Sequence, residues 1–346
     1  MNKITLIGGI AIGTEIYGGE VIKNKILLRF LKGKIDDSRL TIIDTFEWQK
    51  HLFVVAFKIL FVLLSRKHKI IILSCFTTGA YYFLKVYKVT SLLIKKDIYY
   101  FIVGGSLPDY LAVGKVKLKY YNEIQMFAES NHIREKLLRF GINNISVIPN
   151  WKGYNFTPVE KPRKKDFDKI KALSYSRICP EKGTDLTIEA VNRINAESVR
   201  IEVDFYGDIQ SDYKKIFYDK ISSKSYFDYK GRIDLTIDQN YSILANYDLM
   251  LFPTYYFGEG IPGAIIDCYI AGVPVLASDW NFNKDVIKHK ETGLIFEAQN
   301  FDSFYKTLIY IIENKGLIEI MSKNCIETAR NFKIDLLLND FVLNLT

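Results

Sequence analysis

Short apolar runs alternate along the chain with longer segments whose apolar residues recur at helical spacing. The short continuous runs favour buried strands of parallel sheets, and the longer segments favour helices that cover those sheets. The predicted strands are residues 4–7, 40–44, 70–74, 99–103, 124–128, 145–148, 170–175, 201–206, 249–252 and 273–277. The predicted helices are residues 21–31, 52–64, 79–95, 131–140, 262–271, 301–313, 317–328 and 334–345, with one more after Thr184. This alternation predicts an α/β fold.

The stretch 247–280 combines two of these strands with the helix between them. Pro262 suits the first turn of that helix, where its missing N–H costs nothing, and Gly272 suits the left-handed residue after the last turn. The free N–H groups of the first turn then face the loop 258–261. Backbone donors and the helix dipole both favour negative charge, so this stretch predicts a phosphate site.

Two carboxylates flank the predicted phosphate site, Glu259 just before the helix and Asp267 inside it. Carboxylates are poor ligands for phosphate but good acceptors for sugar hydroxyls, and a buried acid needs partners. The pair therefore suggests a ligand that carries both a phosphate and a polyol. A structural alternative stays open, in which Glu259 caps the helix and Asp267 lies on its solvated side.

The whole stretch, with EGIP, seven residues between the two acids and AGVPVLAS after them, closely resembles the donor-sugar signature of retaining GT-B glycosyltransferases of the family 4 type. The resemblance implies that Glu259 binds hydroxyls of the transferred sugar and that the helix N-terminus holds the distal phosphate. It also implies that Asp267 binds the ribose, although the family usually has glutamate there. The donor-binding positions that it implies in this stretch are Gly260, Ile261, Pro262, Gly263, Ala264 and Asp267.

The segment SRICPEKG resembles the GRxxxEKG block of the same family, with Ser176 in place of the first glycine. In that resemblance Arg177 and Lys182 hold the donor diphosphate, the arginine by its planar fork and the lysine as a point charge. Taken alone, two such residues would more often be solvated surface charges. The segment YKGRID resembles the part of the family that contacts the nucleobase, which makes Arg232 and Ile233 the candidate contacts.

Glycines mark two positions of the first half where the family contacts its donor. The resemblance implies that Gly18 and Gly19, at the start of a helix, let backbone N–H groups approach the donor phosphates. A tight turn without a binding role is the alternative. Gly104 and Gly105 occupy the place where many relatives have a histidine that contacts the donor sugar, so that contact is not expected here.

Length and charge extend this picture. A chain of 346 residues predicts two domains, and a hydrophobic content of 49% permits two well-packed cores. The net charge of +8 is uneven, because residues 1–150 carry +11 and the remainder −3. The basic half should therefore meet an anionic partner. We find no nucleic-acid motif, so we expect a membrane or lipid phosphate and no nucleic acid.

The cysteines and the apolar helices bear on location. Cys75, Cys179, Cys268 and Cys325 are isolated from one another, which predicts neither a disulfide framework nor a zinc site and suits a reducing cytoplasm. The N-terminus lacks the pattern of a signal peptide, so we expect a cytoplasmic protein that can reach the inner face of the cell membrane. The apolar segment 52–64 is too short to cross a bilayer. It predicts either a core helix, which we prefer, or a helix resting on the membrane.

We therefore expect a GT-B fold with two Rossmann-like domains whose parallel sheets face each other across a cleft. Residues 1–150 would bind the acceptor, residues 169–330 would bind the nucleotide sugar, and residues 331–346 would cross back as a helix, with 151–168 as the linker. The resemblance implies retention of the anomeric configuration, a UDP-sugar donor and an acceptor glycan on undecaprenyl diphosphate, as in capsule or surface polysaccharide synthesis. No DxD motif is placed to hold a metal, so we expect neither metal nor cofactor. A nucleotide-sugar epimerase and a catalytically silent partner subunit are the alternatives.

Overall fold

The computed structural model describes residues 2–14, 18–158 and 169–345, and it divides the chain into two compact units. The first unit comprises Met1–Gly153 with Phe332–Thr346, and the second comprises Tyr154–Asn331. Residues 159–168, which form much of the predicted linker, lie outside the described residues. Each unit is built on its own six-stranded sheet.

The sheet of the first unit is entirely parallel. Its strands are β1 (Lys3–Gly8), β2 (Leu40–Asp44), β3 (His68–Phe76), β4 (Asp97–Val103), β5 (Gln125–Ala128) and β6 (Ile145–Val147), in the order β2-β1-β3-β4-β5-β6. The helices that follow these strands are α1 (Gly19–Lys34), α2 (Leu52–Leu64), α3 (Thr77–Thr90), α4 (Leu107–Ala112) and α5 (Asn131–Arg139). Within the sheet, β2 lies beside β1 in one direction, and the connections to β3 and the later strands all run in the opposite direction. Right-handed crossovers therefore place α1 on one face and α2 and α3 on the opposite face.

The sheet of the second unit is also entirely parallel. Its strands are β7 (Ile170–Tyr175), β8 (Ile201–Tyr206), β9 (Phe227–Gly231), β10 (Leu249–Phe252), β11 (Val275–Ser278) and β12 (Gly293–Phe296), in the order β12-β11-β10-β7-β8-β9. Its helices are α6 (Thr184–Ile194), α7 (Lys214–Ile221), α8 (Tyr241–Leu244), α9 (Gly263–Ile270), α10 (Asn283–Val286), α11 (Phe301–Glu313) and α12 (Gly316–Ala329). The central strands β7 and β10 are neighbours, so the loops that leave their carboxyl ends meet at one edge.

The last helix, α13 (Ile334–Leu343), returns to the first unit and packs there with α1. Its residues Ile334, Leu338 and Val342 are buried in the same apolar cluster as Leu27 and Leu31 of α1. The spacing of four residues places the three side chains on one face of the helix. Backbone hydrogen bonds also fix its start, because Lys152 N–H donates to the Phe332 carbonyl at 2.8 Å and Ile334 N–H donates to the Lys152 carbonyl at 2.9 Å.

Local signals of the sequence set several helix ends. Ser130 caps α5 by accepting a hydrogen bond from the Ile133 N–H at 3.2 Å, as its position predicts. Gly272 follows α9 with a φ of 71°, the left-handed conformation that ends many helices. Pro262 stands one position earlier than predicted, as the residue before the first turn of α9 rather than in it.

The helix α2 covers the predicted range 52–64, but it is not the core helix that we preferred. Only Val55, Val62 and Leu63 are buried, and most of the remaining apolar side chains are exposed. A helix that is apolar all round has no polar side to offer the solvent, so packing against one sheet leaves its outer face uncovered. Among the described residues, no helix has both the length and the apolar character that crossing a membrane requires.

Candidate functional site

The loops after β7 and β10 meet in the second unit and bring three of the predicted site residues together, namely Arg177, Lys182 and Glu259. Gly183 makes the approach possible, because it has a φ of 74° and a Cβ built there would lie 2.2 Å from the Pro253 carbonyl oxygen. The Tyr255 N–H donates to the Glu181 carbonyl at 2.8 Å, which joins the two loops directly. A residue with a side chain at position 183 would force the loops apart.

Glu259 and Lys182 form an ion pair at this junction, and each side chain is only about a tenth exposed, at 12% and 11%. The Lys182 ammonium donates to Glu259 Oε2, and the Thr254 hydroxyl donates to the same oxygen at 3.2 Å. The two donors hold the carboxylate in one orientation. The proposed capping role of Glu259 is wrong, because Lys182 and Thr254 bind its carboxylate and the N-cap position of α9 is Pro262.

Arg177 and Lys182 both lie against the ring of Tyr256. The Arg177 Cζ and the Lys182 Nζ are each 5.0 Å from the ring centroid, the distance of a cation–π contact. Partial burial is the largest single effect and lowers the pKa of Arg177, but the hydrogen bond with Tyr256 and the attraction of Cys179 and Tyr256 together outweigh it, so the pKa is raised and the guanidinium stays charged. One aromatic ring thus contacts both cations.

Tyr256 is a site residue that the sequence analysis missed. The loop that carries it is held from the end of β11, where the Trp280 indole N–H donates to the Tyr256 carbonyl at 2.8 Å. The Asn281 amide donates to the Glu259 carbonyl at 3.2 Å. One sequence signal could have indicated Trp280 and Asn281. Both have hydrogen-bonding side chains and follow β11, which is a neighbour of β10, and neighbouring parallel strands end at the same edge of the sheet.

The helix α9 directs its first turn toward the loop 258–261, and no side chain caps it. Gly263 and Ala264 in that turn are half-buried, and Ile261 and Pro262 before it are buried. The N–H groups of a first turn have no partner within their own helix, and they carry the positive end of the helix dipole. The end of α9 is therefore chemically suited to an anion.

Asp267 lies inside α9 and is 3% exposed, so its proposed place on the solvated side of the helix is wrong. The Tyr241 hydroxyl donates to Asp267 Oδ1 at 2.9 Å. Burial, followed by the charge of Asp267 and this hydrogen bond, raises the pKa of Tyr241, so the phenol stays protonated and remains a donor. Tyr241 in turn stacks on Phe156, with ring centroids 5.7 Å apart.

Arg232 and Ile233 follow β9, at the far edge of the sheet and two strands away from β7. The exposed Arg232 guanidinium forms an ion pair with Asp208, and Ile233 is buried. A hydrogen bond from the Gly207 N–H to the Gly231 carbonyl at 2.8 Å joins the carboxyl ends of β8 and β9. Arg232 and Ile233 are thus not part of the cluster formed by Glu259 and Lys182.

Gly18 and Gly19 stand in the first unit, at the start of α1. Both are exposed, Gly18 has an extended backbone with a φ of −150°, and a Cβ at either would meet nothing within 4 Å. The tight-turn alternative is therefore wrong, because neither position requires glycine for the local fold. Gly104 has a φ of 78°, a conformation in which a histidine would be strained.

Glu20, next to these glycines, is a second group that the sequence analysis missed. Its carboxylate accepts a hydrogen bond from the Gly9 N–H at 3.3 Å. The pKa of Glu20 is raised to about 7, mainly by burial and to a smaller extent by the charge of Asp44. Hydrogen bonds from the backbone of Gly9 and Phe76 oppose this rise. No sequence pattern predicts this shift, since it depends on the loops that close over the side chain. Within the described residues, no group of three or more histidine, cysteine, aspartate or glutamate side chains could hold a metal ion.

Comparison with known proteins gives a family match. The model of the family described as Glycosyl transferases group 1 matches residues 156–332. An Escherichia coli UDP-Gal:alpha-D-GlcNAc-diphosphoundecaprenol alpha-1,3-galactosyltransferase is 33% identical over 84 residues, which are 24% of this chain and 21% of that protein. The uncharacterized glycosyltransferase MJ1069 of Methanocaldococcus jannaschii is 21% identical over 225 residues, or 62% of this chain and 55% of that one. The matches thus span about a fifth and about half of these two curated relatives.

Solved structures show the same fold. The crystal structure of Anabaena HepE in complex with UDP superposes with a TM-score of 0.75 at 16% identity, covering 99% of both chains. Together with the two six-stranded parallel sheets, this likeness confirms the GT-B fold class that the sequence predicts.

Proposed function

Because the chain belongs to the glycosyl transferases group 1 family, we propose that it transfers a sugar from a UDP-linked donor to a glycan carried on a polyprenyl diphosphate lipid. One observation carries this proposal. Within the matched segment, Glu259, Lys182 and Arg177 converge at the loop that leads into α9. An acid that accepts sugar hydroxyls thus stands beside two cations and a helix N-terminus that suit a diphosphate.

The diphosphate would lie between the two cations and the first turn of α9. Arg177 offers several N–H donors in a plane, and Lys182 offers a compact charge. The backbone N–H groups of Gly263 and Ala264 add donors that need no rearrangement. Lys182 is already bound to Glu259. In the donor complex one ammonium would therefore bridge the acid on the sugar side and the phosphate on the other.

The remaining donor contacts follow the same assignment. Asp267 would accept a hydrogen bond from a ribose hydroxyl, and Arg232 with Ile233 would contact the base at the end of β9. The loop positions assigned to the donor are Gly260, Ile261 and Pro262.

We propose that the reaction retains the anomeric configuration and needs no divalent metal. The bond between the anomeric carbon and the UDP oxygen breaks, the acceptor hydroxyl oxygen bonds to the same face of the sugar, and its proton passes to an oxygen of the departing diphosphate. The developing charge falls on the departing diphosphate, where Arg177 and Lys182 stabilise it. Fixed charges in a partly dry site are worth more than the same charges in water. The cations would thus take the role that a metal ion has in other enzymes.

The acceptor and the location belong to the same proposal. The E. coli relative is named for a diphosphoundecaprenol acceptor, and a surface or capsular polysaccharide would be assembled on such a lipid. We place the protein in the cytoplasm, at the inner face of the cell membrane. The excess of basic residues in the first half of the sequence supports contact with an anionic lipid surface.

Donor binding can be tested by thermal unfolding with UDP, UDP-galactose and UDP-glucose. A ligand that binds only the folded state at 100 times its Kd adds about 2.7 kcal/mol of stability, so a true donor must raise the melting temperature. The double variant Arg177→Ala/Lys182→Ala should lose this rise, and the variant Lys169→Ala, on the surface of the same unit, should keep it. A rise that persists without both cations would overturn the assigned diphosphate site.

Transfer itself is tested with Glu259→Ala. If Glu259 binds the sugar, the variant should retain binding of UDP and lose transfer to a polyprenyl diphosphate glycan. Unchanged polysaccharide output in cells that carry this variant would instead support a silent partner subunit. Release of free epimerised nucleotide sugar by the wild-type protein would support an epimerase.

A further inference from the structure

The outer face of α2 is a continuous apolar stripe on the surface of the first unit. Its exposed side chains recur every three or four residues, which places them on one side of the helix. They are Phe53, Phe57, Leu60, Phe61 and Leu64. Phe53 is 88% exposed and Phe57 is 71% exposed, so the stripe is not the edge of a core. Soluble surfaces carry single exposed apolar residues, but a contiguous row marks a surface that another partner covers.

The sequence around the stripe carries charge of one sign only. From Trp48 to Lys96 there are nine lysine and arginine residues and no aspartate or glutamate. Lys58 stands within α2, and Arg66 and Lys67 follow its last turn. All three are exposed, and they make no ion pair with any residue in the described part of the chain. The stripe therefore needs a partner that is apolar at its centre and anionic at its border.

A second apolar segment adjoins the same end of α2. The turn after α3 exposes Leu92 and Leu93 at 84% and 78%. The Lys96 ammonium, just beyond that turn, donates to the Ser65 carbonyl at 2.5 Å and to the His68 carbonyl at 2.7 Å. These bonds tie the chain after α3 to the chain after α2. The two leucines thus extend the apolar surface beside Arg66 and Lys67.

The chemistry of the stripe favours lipid over protein as the partner. The helix contains no serine, threonine, asparagine, glutamine or acidic residue, so it offers no side-chain acceptor to a protein interface, which typically forms one hydrogen bond per 100–200 Å². A second copy of this chain would bring like charges together. A groove of about 360 Å³, lined by Phe57, Leu60, Phe61, Leu64 and Ser65, opens between the exposed side chains and suits an aliphatic chain.

The orientation of the helix follows from its length and its buried side. With 13 residues α2 is about 20 Å long, shorter than the roughly 30 Å of a hydrocarbon core. Val55, Val62 and Leu63 pack against the unit and cannot face lipid. Only the outer stripe can enter the bilayer, so the helix must lie along its surface.

We propose that α2 is the membrane-docking element of this protein, with its outer stripe and Leu92–Leu93 among the acyl chains of an anionic bilayer and with Arg66 and Lys67 on lipid phosphates. The proposal rests on the proposed function, because an enzyme that uses a lipid-linked acceptor must reach it at a membrane. The outer stripe of α2 is then the surface that meets the membrane, and its basic border selects anionic lipid.

The test is co-sedimentation of the full chain with vesicles of phosphatidylcholine alone or mixed with phosphatidylglycerol. The wild type should bind the anionic vesicles and bind the neutral ones much more weakly. Arg66→Gln/Lys67→Gln should weaken binding to anionic vesicles by about 30-fold, from about 1 kcal/mol per basic side chain near an anionic surface. Phe53→Ser/Phe57→Ser should weaken binding by about tenfold or more, because it removes apolar area from the buried stripe.

Matched controls lie on the other face of the sheet. Lys32→Gln/Lys34→Gln in α1 removes the same charge, and Leu336→Ser/Leu343→Ser in α13 removes apolar side chains that are 71% and 64% exposed. Both controls should bind vesicles as the wild type does. Equal losses in the controls, or no preference of the wild type for anionic vesicles, would overturn the proposal. Self-association that the phenylalanine variant abolishes, without vesicle binding, would show that a second copy is the partner and would also overturn it.

The membrane assay is independent of donor binding. The α2 variants should keep the rise in melting temperature that UDP causes, because the cations and α9 belong to the other unit. Vesicle binding without any UDP effect would contradict the proposed function alone. A UDP effect in a chain that ignores anionic vesicles would contradict the docking surface alone.

Discussion

At the scale of single residues, the site depends on how Glu259 is held. Its carboxylate has two donors, Lys182 and the Thr254 hydroxyl, and little contact with water. A nearly buried carboxylate that loses its cation keeps the desolvation cost without the attraction that offset it. The pair is therefore a structural unit as well as a proposed catalytic one, and the two roles can be separated.

We expect Lys182→Met to lower the free energy of unfolding by about 3 kcal/mol, since it leaves Glu259 without its cation. The double variant Lys182→Met/Glu259→Gln should recover most of that stability, because a neutral amide needs no cation. Transfer should fall about 100-fold or more in both variants. Urea unfolding and a transfer assay measure the two effects. As a control, Lys169→Met removes an exposed ion pair with Glu202 and should cost less than about 1 kcal/mol. If Lys182→Met/Glu259→Gln is as unstable as Lys182→Met, the loss of the Lys182–Glu259 pair is not the cause.

Glu20 should make stability depend on pH. Its pKa is raised from 4.5 to about 7 in the folded state, so the folded state binds more protons than the unfolded chain between these values. Stability from this group is therefore fully present below about pH 4.5 and is lost as the pH rises through about 7, by about 3 kcal/mol. Glu20→Gln should remove this fall. The unfolding free energies of the wild type and of this variant should be measured from pH 5 to pH 8. Their difference isolates the contribution of Glu20 from that of other groups, and a difference that does not change with pH would refute the raised pKa.

At the scale of elements, the loops after β7 and β10 work as one piece. Gly183 permits their contact, and the end of β11 supports the second loop through Trp280 and Asn281. Hydrogen bonds between loops fix the position of α9 relative to the cations. A change in loop contact should thus affect donor binding even when no donor contact is removed.

Gly183→Ala tests this coupling. The new Cβ would meet the Pro253 carbonyl at 2.2 Å in a left-handed conformation, so backbone must move. We expect a loss of about 3 kcal/mol or more and weaker binding of UDP, measured by thermal unfolding with and without the nucleotide. Gly141→Ala is the control, because Gly141 has a φ of 86° with nothing within 4 Å and should cost only about 1 kcal/mol. Equal effects of the two changes would show that strain alone matters.

At the scale of the whole molecule, the chain leaves its first unit at about Gly153 and comes back to it at Phe332. The returning helix α13 supplies part of the core of a unit whose other elements were completed far earlier in the sequence. The apolar cluster that includes Leu338 also holds Trp151, which packs edge-on against Phe101 with ring centroids 5.3 Å apart. The first unit should therefore not be stable without the C-terminal residues.

We expect Leu338→Ala to destabilise the first unit by about 2–5 kcal/mol, because it leaves a cavity under α13. Leu336→Ala, two residues away on the exposed side, should change stability by less than about 0.5 kcal/mol. Hydrogen exchange, read separately for the two units, measures the effect. Loss of protection in the second unit but not in the first would contradict the assignment of α13.

Transfer activity should survive EDTA in the complete protein. The proposed mechanism places Arg177 and Lys182 where a metal would otherwise neutralise the diphosphate. Sugar transfer measured before and after chelation should agree within about twofold. A strict requirement for added divalent ions would count against the mechanism without affecting the fold.

Much of this molecule could be predicted from short-range patterns. The run 40–44 is a strand with the predicted limits, 52–64 is a helix with the predicted limits, and Ser130 and Gly272 end their helices as expected. These features depend on the period of apolar residues and on backbone preferences, which act over a few residues. Other short stretches carry Glu259, Arg177 and Lys182, so the chemistry of the proposed site could be named as well.

By itself, then, the sequence determined the α/β alternation, the GT-B fold class and the residue types at the proposed donor site. Only the tertiary structure decided that Lys182 pairs with Glu259 from 77 residues away, that Tyr256 lies against both cations, and that α2 turns its apolar face outward. The reason is physical. Such contacts depend on which strands become neighbours and how closely their loops approach, and no local pattern records these distances.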